Sequence, residues 1–142
     1  MTYADTQTST AAASKPLHVT LWVVQILLAL IFATTGTMKV AQPIAALAAS
    51  LGWPGHVPPA LVRFIGIAEL LGAAGLILPA ATRIAPALTP LAAGALTLVM
   101  LLASLVHISR AEFTILPVPV GVGALCAFVA WGRSRKAPIP SR

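Results

Sequence analysis

Glu69 sits in the stretch PALVRFIGIAELLGAAG, residues 59–75, where every neighbour except Arg63 is apolar or small. A carboxylate at the centre of a bilayer costs on the order of 3 kcal/mol on insertion scales, so it is paired, protonated or used. Used, it carries a proton or a cation. Protonated, it donates a hydrogen bond to an acceptor such as a quinone carbonyl. Arg63 precedes it by six residues, about 120° around a helix and about 9 Å along it. The two therefore do not form an i,i+4 pair. Another helix must answer Glu69, and Lys39 and His107 are the first candidates. With Arg63, Arg110 and Glu112 they form a polar group on the side of Glu69 away from the chain termini. The half nearer the termini carries basic anchors, plus Gln25 inside the first apolar run. Lys39, Arg63, Glu69, His107 and Glu112 make up the candidate functional cluster.

The elements that position these residues belong in lipid. The chain has 142 residues, 58% hydrophobic and 8% charged, with a mean hydropathy of +0.95. A soluble domain carries about 25% charge, and a chain this short cannot bury so much apolar surface in one core. The composition implies an all-α integral membrane protein, a bundle of four helices. The domain runs over 17–132, with spans near 17–38, 60–78, 86–108 and 114–131. The first run of about 22 residues would rise roughly 33 Å, enough to cross with modest tilt. It is too long for the apolar part of a signal peptide. Residues 1–16 read as a disordered cytoplasmic tail, and 133–142 as a solvated basic tail.

Between the first two spans, Pro43–Leu51 reads as a short interfacial helix. The turns that follow carry Trp53 as an interfacial anchor. Four spans put both termini on one side. Lys15, Arg83, Arg133, Arg135, Lys136 and Arg142 lie there, against Lys39, Arg63 and Arg110 opposite. The positive-inside rule makes that side cytoplasmic. Gly66, Gly72 and Ala73 fall within about 60° of Glu69, a face another helix can approach closely.

Several chemistries are excluded or disfavoured. The net charge of +6 is spread singly between apolar runs, with no basic stripe for nucleic acid. Cys126 is the only cysteine, so no internal disulfide or dithiol pair exists. His18, His56 and His107 fall at different depths, which does not suit paired haem ligation. No HExxH, phosphate loop or nucleophile elbow appears, and no metal set is expected.

Lys39 after Gly36, LGWP at 51–54, RFIGIAELLGA at 63–73 and HISRAE at 107–112 occur in this order along the chain. Together they resemble the DoxX-like family of small four-helix bacterial and archaeal membrane proteins, over roughly residues 17–132. The resemblance implies a multi-pass protein of the bacterial cytoplasmic (inner) membrane. It also implies a redox connection, because some members are membrane subunits of a thiosulfate:quinone oxidoreductase and others belong to oxidative-stress assemblies. The family's recurring polar positions carry over to Lys39, Arg63, Glu69, His107 and Glu112. No intrinsic cofactor carries over; quinone is the one small molecule implied. The partners implied are the lipid bilayer, redox proteins and further copies of the chain. The leading expectation is a non-catalytic or quinone-contacting membrane subunit. A small proton-coupled transporter using Glu69 is the alternative. A purely architectural role, with Glu69 paired to Lys39 or Arg63, is the third.

Overall fold

The computed structural model describes residues 15–142. The expected N-terminal tail lies outside them, apart from Lys15 and Pro16, which open the first helix. Five α-helices follow: α1 Lys15–Ala41, α2 Ile44–Leu51, α3 Pro59–Thr82, α4 Leu88–Ser109 and α5 Pro117–Trp131. One turn of π-helix, Gly132–Lys136, extends α5. No strand occurs among the described residues. Three helices, α1, α3 and α4, are long and apolar enough to cross a membrane. At 15 residues α5 is shorter, below the roughly 20 that a span needs.

The helices pack in a cycle, α1 on α3, α3 on α4, α4 on α5 and α5 back on α1. The buried stripe of α1 is Leu21, Gln25, Leu28, Phe32, Gly36 and Lys39. That of α3 includes Val62, Gly66, Glu69, Ala73, Leu76 and Ala80. Both advance in steps of three and four, the spacing that keeps one seam facing a neighbour. Each long helix is apolar on its outward face too: Leu30, Phe64, Leu71, Leu91 and Leu101 are all exposed. A helix apolar all round suits lipid.

Several boundaries differ from the expected ones. α3 runs through Pro79 to Thr82, because a proline this late removes only one hydrogen bond, to the Gly75 carbonyl. Arg83, left-handed at φ 61°, ends it and returns its N–H to the Pro79 carbonyl. α4 begins two residues later than expected, after a bend at Ala85 (φ 48°), and α5 three, after the chain reverses at Ala111 (φ 55°) and turns over 113–116. The expected short helix is α2, with Pro43 immediately before it.

The C-terminal segment is not simply solvated. Arg133 and Ala137 are buried, and the Arg142 N–H donates to the Arg83 carbonyl at 3.2 Å. Gly132 permits this approach, because a Cβ there would lie 2.6 Å from the Leu21 side chain.

Candidate functional site

Two glycines bring α1 and α3 together. A Cβ on Gly36 would lie 2.8 Å from the Gly66 carbonyl, and one on Gly66 would lie 2.8 Å from the Lys39 Cβ. Backbones this close place Lys39 over α3, and its long side chain reaches along the seam to Glu69. The Lys39 ammonium donates to both carboxylate oxygens, at 2.9 Å to Oε1 and 2.8 Å to Oε2. Thr35, one turn before Lys39, donates to Oε2 at 3.0 Å. The pair is sealed, with side chains 9% and 3% exposed.

Arg63 completes the arrangement without touching the carboxylate: its Nη1 donates to the Lys39 backbone carbonyl. That carbonyl belongs to the last turn of α1, where no intrahelical N–H remains to meet it. A guanidinium there also opposes the negative end of the helix dipole. Three candidates, Lys39, Arg63 and Glu69, thus form one unit.

His107 and Glu112 form another. His107 Nδ1 lies 2.7 Å from Glu112 Oε2, and Arg110 Nε donates to Oε1 at 2.6 Å. The Glu112 N–H returns to the His107 carbonyl at 2.9 Å, so these residues tie off the end of α4. The His107 contact, then that of Arg110, holds the Glu112 carboxyl below its ordinary range. Of the two partners expected for Glu69, Lys39 fills the role and His107 turns to Glu112. No hydrogen bond joins the two units among the described residues.

A third polar unit lies at the terminal end. Gln25 Nε2 donates to the Leu76 carbonyl at 2.7 Å, and its Oε1 accepts from Arg133 Nε at 2.5 Å. Gln25 was legible as a polar residue inside a span. Arg133 was not, because its basic neighbours in the sequence read as a solvated tail.

An apolar groove of about 440 Å³ runs between α1 and α3, past Ile26, Leu30, Leu70 and Ile77. No polar side chain lines it. No group of three or more His, Cys, Asp or Glu able to hold a metal occurs among the described residues. Cys126 is buried in α5.

Three helices of membrane length, apolar on their outward faces and two of them joined by a buried ion pair, define an all-helical membrane protein. The model of the DoxX-like family matches residues 23–129, and the chain belongs to that family. No curated protein and no solved structure matches it.

Proposed function

We propose that this chain is a non-catalytic membrane subunit whose intramembrane ion pair clamps α1 to α3 while a redox partner protein docks on it. One observation carries this reading: both oxygens of Glu69 are engaged, by Lys39 and Thr35. A carboxylate that shuttles protons needs access to solvent, and this one is sealed between two helices. The redox part rests on the family. A quinone is expected only where a partner completes the site, because the apolar groove between α1 and α3 offers its headgroup no polar side chain.

In this reading the chain crosses the bacterial cytoplasmic membrane four times, with both termini inside. α5 and the π-turn after it form a continuous helical run of 15 and then 5 residues, the length a bilayer requires. The excess of basic residues at the terminal end supports the orientation.

The test is isolation in native lipid, with identification of copurifying proteins, quinone extraction and flux measurements on the chain alone. A redox partner is expected in fixed ratio, with no proton-linked flux. Finding neither partner nor quinone would retire the redox assignment. A flux that Glu69→Gln abolishes at unchanged stability would make the protein a transporter instead.

A further inference from the structure

We infer that the terminal end of the molecule holds a site for a phosphate-type anion, built from Arg83 and His18 and backed by the buried Arg133. Arg133 is 3% exposed, and every group it meets in the protein is uncharged. Nε is satisfied by Gln25. Nη1 lies 3.3 Å from the Ala137 carbonyl and 3.2 Å from His18 Nδ1. The Trp22 ring lies under the guanidinium at 5.3 Å. Nη2 is buried with no partner. No carboxylate among the described residues lies within ion-pair distance of Arg133. A buried charge without a counter-ion is costly, and proteins rarely leave one so.

The His18 contact offers less than its distance suggests. The Trp22 indole donates to His18 Nε2 at 3.1 Å. A neutral imidazole has one acceptor nitrogen. With Nε2 taken, Nδ1 carries the ring proton and faces Nη1 as donor to donor. The contact therefore leaves the Arg133 charge uncompensated behind the ring.

Room for that anion is adjacent. A cleft of about 380 Å³ is lined by His18, Trp22, Arg83, Ile139 and Pro140. His18 and Trp22 form the wall that Arg133 touches from behind. The Arg83 side chain is held by one bond, Nε to the Pro140 carbonyl at 3.2 Å. Its two terminal nitrogens make no hydrogen bond among the described residues and can fork a phosphate. The cleft lies at the first turns of α1 and the last turns of α3. In a membrane that is headgroup depth, whichever side the termini face. The cleft needs no redox partner to complete it.

A phospholipid headgroup and soluble phosphate present the same chemistry, and titration separates them. The purified protein in neutral detergent is titrated with phosphatidylglycerol, phosphatidylcholine or inorganic phosphate, followed by native mass spectrometry and thermal unfolding. Saturable binding of phosphatidylglycerol in preference to phosphatidylcholine identifies a lipid headgroup; saturable binding of inorganic phosphate identifies a soluble anion. In either case Arg83→Gln is expected to weaken binding roughly fivefold, the worth of one basic side chain at an anionic surface. Arg135→Gln, an exposed cation at the same end, is expected to leave it unchanged. Arg133→Gln removes the buried charge; should that variant fail to fold, the Arg83 and Arg135 variants still decide. Absence of saturable binding, or equal weakening by Arg83→Gln and Arg135→Gln, would overturn the site.

Discussion

Lys39 holds Glu69 with one ammonium on two oxygens, and Thr35 adds a third donor. Removing the acid leaves a buried cation, so Glu69→Gln is expected to cost about 3–5 kcal/mol of unfolding free energy in lipid discs. Glu112 behaves differently, because it lies at an open turn. Its carboxyl is held below the ordinary value of 4.5 by His107 first and Arg110 second. A depressed carboxyl stabilises the folded turn above its unfolded value, and that contribution is lost as pH falls through the lower folded value. The Glu112 carboxyl resonance is therefore expected to titrate below 4.5, and His107→Ala to move its midpoint up; an unmoved midpoint would disprove the contact. Lys39 was legible in the sequence as a partner for Glu69, since apolar runs of this length bring the end of one span beside the next. The turn of His107 toward Glu112 was not. It depends on Ala111 reversing the chain at positive φ, a conformation that alanine does not advertise.

At the scale of elements, the clamp works only because Gly36 and Gly66 let α1 and α3 touch. A Cβ on Gly66 would meet Lys39 Cβ at 2.8 Å and the Gly36 carbonyl at 2.9 Å. Gly66→Ala is expected to cost about 1–3 kcal/mol by forcing the helices apart. Gly94 and Gly121 have nothing within 4 Å of a built Cβ. Gly94→Ala is therefore expected to be neutral or to stabilise by up to about 1 kcal/mol. Thermal unfolding of the two variants side by side separates packing from propensity, and equal effects would contradict the role given to Gly66. The helices themselves were legible because hydropathy and proline spacing mark them. Their ends were less so: Pro79 reads as a stop, yet the buried contacts of Leu76 and Ala80 carry α3 past it.

For the whole molecule, topology is the next expectation. In a Cys126→Ala background, a cysteine placed by Ser141→Cys is expected to resist an impermeant maleimide in intact cells, while one placed by His56→Cys reacts. The opposite pattern would invert the protein in its membrane. Composition made the membrane class legible, but it could not show that the C-terminal segment folds back on α1 and α3. That return depends on Gly132 and on one buried arginine. The most direct test of the clamp is a double-mutant cycle on Lys39 and Glu69, read by unfolding in lipid discs. Lys39→Met and Glu69→Leu are each expected to destabilise strongly, and the double variant to recover most of the loss, because a well-packed apolar pair replaces a buried ion pair at little cost. Losses that simply add, with no coupling between the two positions, would contradict the clamp.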